Sequence, residues 1–263
     1  MATVGDIRFL AEETAQPAFA YEWDHVGLQA GDPKQTVTRV LLALDVTRAV
    51  IEEAKAQNCG MILSHHPLLF RPITSASLEC AEGEMLSLLY RYSIALYCAH
   101  TSLDAAPGGV NDALCDLLEL SDITLLSPYE AGDTTVACGR MGTLPYLMNG
   151  EELLDFVKKK TGAHTLLHGG LAGHVFRTLA LSTGAAGEEG LHSPADVFLT
   201  GEMKYHTALE MRRIGKAFLA AGHFQTENPV CAFWAKHLQK RADMLQYNVT
   251  FLVSQVNTDP FDT

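Results

Sequence analysis

The sequence predicts an α/β protein of two related modules, with mixed, mostly parallel sheets and helices on their faces. Three observations carry that expectation. Apolar strand-like runs alternate with amphipathic segments along most of the chain, as parallel strands joined by helical crossovers require. The length of 263 residues suits two modest domains at ~150 residues each. Three strand-and-loop units of the first half also have weak counterparts in the second. VLLALDVT (40 to 47) parallels TLALSTGA (178 to 185), MILSHHPL (61 to 68) parallels DVFLTGEM (196 to 203), and ALYCAHTSLD (95 to 104) parallels AFLAAGHFQTE (217 to 227).

Each element follows from its local pattern. Val4, Ile7, Leu10 and Ala11 share one face of a helix from Val4 to Thr14. A loop rich in Gly, Asp and aromatics, YEWDHVGLQAGDP, comes next. Arg39 to Val46 then reads as a buried strand, Arg48 to Asn58 as a helix, Met61 to Ser64 as a strand and Glu82 to Tyr92 as a helix. Ile94 to Ala99 (strand) and Val110 to Leu120 (helix) complete the first module, residues 1–127. Ser121 to Asp133, with Pro128 and Gly132, reads as the connection between halves. In the second module, 128–263, whose C-terminal segments could intertwine with the first, strands are expected at Thr134 to Leu144, Thr178 to Ser182, Val197 to Thr200, Ala217 to Ala221 and Asn248 to Ser254. Helices are expected after an Asn149 cap to Thr161, from Tyr205 to Ile214 and from Pro229 to Arg241, and TGAAGEEGLHSP (183 to 194) reads as a flexible loop.

Composition excludes several classes. With 48% apolar and 19% charged residues the chain can bury a core, and no apolar run reaches the ~18 residues of a bilayer span. Asp6, Glu12 and Glu13 interrupt the stretch where a signal peptide would need apolar residues, so the expected location is the cytoplasm. A formal charge of −12 argues against a broad nucleic-acid footprint and suits a protein that attracts divalent cations. Six cysteines without a C-x-x-C pair read as buried thiols. Phosphate-loop, dinucleotide and serine-elbow motifs are absent.

The chemistry concentrates at strand ends. His65 and His66 follow the strand at 61 to 64, on the sheet edge where open α/β folds bind ligands. His100 and His223 likewise follow strands, and an acid lies four residues beyond each, Asp104 and Glu227. Imidazoles and carboxylates without thiolate suit Zn²⁺, Mn²⁺ or Fe²⁺, and six such groups exceed the needs of one tetrahedral ion, so two metals are expected. Asp24 and His25 are candidates for substrate contacts or for bonds to ligand imidazoles. Asp45 reads as the cap of a strand. Lys204 and Tyr205 begin a helix that could hold an anion. His164, His168, His174, His192 and His237 read as surface or packing residues.

At these residues the sequence resembles the Nif-three-like dinuclear metal-centre family, the GTP cyclohydrolase 1 type 2 homologues. The motifs WDHVGLQAGDP, SHHPLLF, AHTSLDAAPGGVND, GEMKYHTALE and AGHFQTE carry the resemblance in order along nearly the whole chain. It implies metal ligands at His65, His66, Asp104, His223 and Glu227, with His100 as a further ligand or a supporting residue. It also implies two divalent ions per subunit (Zn, Fe or Mn) in a cleft between intertwined modules, and a toroidal homohexamer. His25, Pro67 and Glu202 depart from the family's usual Asn, Gly and Asp, and the glycine-rich loop at 183 to 190 is altered. The leading expectation is a metal-dependent hydrolase of a small molecule, with His100 or Glu227 relaying protons. The alternative is a non-catalytic metal-handling or adaptor assembly.

Overall fold

Short, mostly apolar strands form the centre of two sheets in the computed structural model, which describes residues 1–261. Strands buried on both faces read as continuous apolar runs because helices cover each side of a parallel sheet. The chain divides into two units.

The first unit comprises Met1–Leu103 and Cys231–Thr258. Its five-stranded sheet runs in the order Thr250–Val253, Arg39–Ala43, Met61–Ser64, Ala95–Cys98 and Gly27–Ala30. The first four strands are parallel, and the last is antiparallel to its neighbour. Helices Arg48–Ala56 and Ala81–Arg91 bury Ile51 and Leu89 in the cluster that holds Leu41, Ile62 and Leu96. Thr47 caps the first of them by accepting from Val50 N.

The second unit spans Asp104–Val230, to which Asp259 returns. Its six strands run in the order Leu167–Gly169, Ala217–Ala220, Val197–Thr200, Val175–Ser182, Arg140–Asn149 and Ser121–Leu125. The inner three, 217–220, 197–200 and 175–182, are mutually parallel, and antiparallel pairs flank them. The expected Asn149 cap of Gly150–Thr161 forms as a capping box: Asn149 accepts from Glu152 N while Glu152 accepts from Asn149 N. Gly162, at φ 74°, ends that helix in the left-handed conformation. Arg140 is only 2% exposed. Its guanidinium donates to Asp112 at 2.6 and 3.1 Å, to Ala137 O at 2.6 Å and to Ala106 O at 3.0 Å.

Several expectations are corrected. The division falls at Leu103/Asp104, not at 127/128, because Leu114, Cys115 and Leu118 pack in the second core with Leu144 and Phe176. The stretch from Ser121 is no simple connection: Ser121–Leu125 is an edge strand whose exposed residues hid its pairing. The strand expected over 134 to 144 is two, Thr134–Val136 and Arg140–Asn149. The loop after 183 contains a 3-10 turn, Gly187–Leu191, with Gly187 and Gly190 buried. A side chain at Gly190 would press into the Phe198 ring. Cys59, Cys98, Cys115 and Cys231 are buried, but Cys80 and Cys138 are only partly so. Burial pushes the Cys115 thiol up to about 12. No helix among the described residues is long and apolar enough to cross a membrane.

Candidate metal centre

In the first unit the parallel pairing continues past the strand and sets the two adjacent histidines. His65 N donates to Ala43 O at 3.1 Å and His66 N to Leu44 O at 2.8 Å, so each backbone position is fixed by the neighbouring strand. Their rings lie 4.9 Å apart. His100 begins a six-residue helix, His100–Ala105, directly after the next strand. Its ring is 5.4 Å from that of His65 and 5.7 Å from that of His66. One nitrogen from each of the three lies within 4.8 Å of the others, close enough to hold one metal ion.

Carboxylates orient these rings. A carboxylate only accepts, so where His66 Nδ1 meets Asp45 at 2.8 Å the imidazole must be the donor, and its lone pair then resides on Nε2. The other Asp45 oxygen accepts from Thr258 Oγ1 at 2.5 Å. Asp45, read from sequence as a strand cap, is a support for His66. Asp24 does the same for His100, accepting from its Nδ1 at 3.1 Å and from Thr101 N and Oγ1 at 3.0 and 2.5 Å. Burial pushes the Asp24 carboxyl up, but the hydrogen bonds from His100 and Thr101 outweigh it and hold the group at about 2. His25 itself is exposed, and its backbone N–H donates to Asp24 at 2.9 Å.

In the second unit a one-turn helix, His223–Glu227, follows the strand Ala217–Ala220. Gly222, at φ 96°, turns the chain into it. Positions i and i+4 lie on one helical face, which explains the four-residue spacing. His223 Nε2 is 2.9 Å from Glu227 Oε2, and Glu202 accepts from His223 Nδ1 at 2.6 Å. Glu227 is 4% exposed. Gly184, at φ 61°, gives the carboxylate room: a Cβ there would collide with Glu227 Oε1 and come within 3.2 Å of His223 Nε2. Asp104 opens this unit, and its backbone carbonyl accepts from Asn111 Nδ2 at 2.9 Å. Lys204 pairs with Glu188 at 2.9 Å, and Tyr205 is exposed. His164, His168, His174, His192 and His237 join no cluster of three metal donors among the described residues.

The donor set fits a divalent cation. Three imidazoles carry a carboxylate on Nδ1, the arrangement that metal-ligating histidines adopt because it fixes tautomer and ring together. With Nδ1 of His223 donating to Glu202, Nε2 and Glu227 Oε2 can lie 2.9 Å apart only with a proton or a cation between them. Sequence reasoning missed the roles of Asp45 and Glu202. The one available signal was that each closes or follows a strand next to a histidine-bearing one.

Comparison with known proteins agrees with the fold. A protein of Clostridium perfringens named GTP cyclohydrolase 1 type 2 homolog is 31% identical, over 98% of each chain. A crystal structure of a Bacillus cereus protein related to NIF3 superposes with TM-score 0.92 at 24% identity, over 99% of each chain. Reduced HcgD from Methanocaldococcus jannaschii superposes with TM-score 0.76 at 27% identity, over 97% of this chain and 98% of that one. The model of the family described as Duf34/NIF3 (NGG1p interacting factor 3) matches residues 2–260, and the chain belongs to that family.

Proposed function

We propose that the protein is a metal-dependent hydrolase with a dinuclear centre, its ligands being His65, His66, Asp104, His223 and Glu227. The observation that carries this reading is the carboxylate on Nδ1 of His66, His100 and His223. Divalent Zn, Fe or Mn bound by these donors would supply a water acidified to a nucleophile at neutral pH. His100, its Nδ1 committed to Asp24, would exchange protons with substrate through Nε2. Glu227, buried beside His223, would serve as a ligand and as a second proton acceptor. The name of the clostridial relative makes GTP the first substrate to try. A cytoplasmic homohexamer is part of the proposal, and the solution mass tests it.

The deciding experiment loads the protein separately with Mn, Fe and Zn, measures metal content, and screens nucleotides, pterins and phosphoesters for turnover. Two ions per chain and turnover lost in both His65→Ala and Glu227→Ala support the reading. Turnover that persists in metal-stripped protein overturns it. Bound metal without turnover across the screen supports the metal-handling alternative.

A further inference from the structure

Exposed aromatic rings crowd one side of the imidazole cluster in the first unit. Trp23 is 56% exposed, Phe70 50% and Tyr21 39%. Trp23 stacks on Tyr21, with centroids 5.7 Å apart and planes 26° apart, and meets Phe70 edge-on at 5.9 Å and 65°. Both Trp23 and Phe70 stand 6.1 Å from the His100 ring, near-perpendicular to it. Grouped, exposed rings mark a binding surface, because isolated ones would be scattered. Here the surface is continuous with the proposed reacting groups.

The loops that carry the rings are fixed in place. Asp24, next to Trp23, is bonded to His100 and Thr101, and Tyr21 N donates to Thr101 Oγ1 at 3.2 Å. Leu69, next to Phe70, donates its N–H to Gln29 Oε1 at 3.1 Å. A stacking surface on pinned backbone loses little conformational freedom when a ring settles on it. Phe70 also borders a cleft of about 350 Å³ lined by Leu68, Arg71 and Thr74, with space for a substituent.

We propose that Trp23 and Phe70 form a stacking corner for a planar heteroaromatic ring, presenting that ring to the His65, His66 and His100 cluster. The proposal rests on the metal-centre reading, which makes that cluster the reacting end of the site. It assigns the substrate a flat heteroaromatic ring, which a sugar phosphate lacks.

Trp23 can report on its own occupancy. The chain has two tryptophans, and Trp234 is 2% exposed with no hydrogen bond donated by its Nε1–H among the described residues, so Trp234→Phe leaves Trp23 as the sole tryptophan emitter. Guanosine is titrated into this variant with and without Mn, and ribose 5-phosphate serves as the ring-free control. Saturable quenching by guanosine, none by ribose 5-phosphate, and affinity roughly 5- to 150-fold weaker in Phe70→Ala are expected. Should Trp234→Phe not fold, calorimetric titration of the unmodified chain against Trp23→Ala reads the same loss. Quenching that does not saturate, or that Phe70→Ala leaves unchanged, overturns the stacking corner. So does a Trp23→Ala chain that binds guanosine normally and instead changes solution mass, which would make the rings a contact between copies. Metal content, measured on the same samples, separates the two claims. Ring binding without metal uptake sinks the metal centre alone, and metal uptake without ring binding sinks the corner alone.

Discussion

Thr258 donates to the carboxylate of Asp45, which in turn holds His66 by its Nδ1, so a residue five from the end of the chain orients a candidate ligand near its first quarter. Removing an outer support of this kind costs about 10- to 100-fold in metal affinity. Asp45→Ala should fall in that range. Thr258→Val, which leaves the carboxylate in place, should lose less. Competition with a chromophoric chelator measures both, and equal affinities in all three proteins would show that the contact does not orient the ring.

Gly184 is needed for two reasons, its φ of 61° and the closeness of Glu227. Gly184→Ala should displace the Glu227 carboxylate and lower bound metal. The positive φ alone should cost about 1 kcal/mol of stability. Metal content and thermal unfolding of the stripped protein separate these effects. Unaltered metal content would mean that the helix His223–Glu227 shifts to accommodate the methyl group.

Arg140 and Asp112 form a pair in which the cation is the more deeply enclosed partner, at 2% against 23% side-chain exposure. Breaking one side of a buried pair leaves an uncompensated charge, at a cost of about 3–5 kcal/mol. Because Asp112 is partly open to water, Asp112→Ala should fall at the low end, near ~3 kcal/mol. Urea unfolding measures it. A loss under ~1 kcal/mol would show that the backbone carbonyls of Ala106 and Ala137 suffice for the guanidinium.

Asp196 accepts from the backbone N–H groups of Arg177 and Thr178 at 2.9 and 2.8 Å. Partial burial raises its pKa, but these bonds outweigh it and hold the carboxyl below its ordinary value. A folded-state pKa below that of the unfolded chain, about 3.9, adds stability that is present above that pH and is lost as pH falls through the folded value. Asp196→Asn should therefore flatten the acid limb of the stability curve. Urea midpoints at pH 6 and pH 3 test it, and an unchanged difference between the two would refute the assignment.

The legible part of the fold was its parallel core. Apolar runs such as those at 61 to 64, 197 to 200 and 217 to 220 correspond to central strands because both faces of each are covered. Ser121–Leu125 escaped notice because four of its five residues are exposed and it lacks the apolar signature, and Gly27–Ala30 because a four-residue strand holding Gly and Gln shows no apolar run. His65, His66, His100, His223 and Glu227 were visible as strand-end donors, and the structure groups the first three and pairs the last two. Asp45 was invisible as a partner of His66, for it is 21 positions away and only the parallel register brings the strand ends side by side. The rings at Trp23 and Phe70 meet through two loops whose conformations no periodicity describes.

The strand Thr250–Val253 pairs in parallel with Arg39–Ala43 and completes a sheet whose other members all precede residue 99. Every strand of the second sheet lies between Ser121 and Ala220. On the ribosome, then, the module begun second has all its strands translated first. The module begun first waits for residues 250–253, with the edge of Arg39–Ala43 unpaired until that segment emerges. Premature termination between residues 220 and 250 would spare the strands of the later-begun sheet and leave the earlier one open, a lesion of the first module caused by the loss of a late segment.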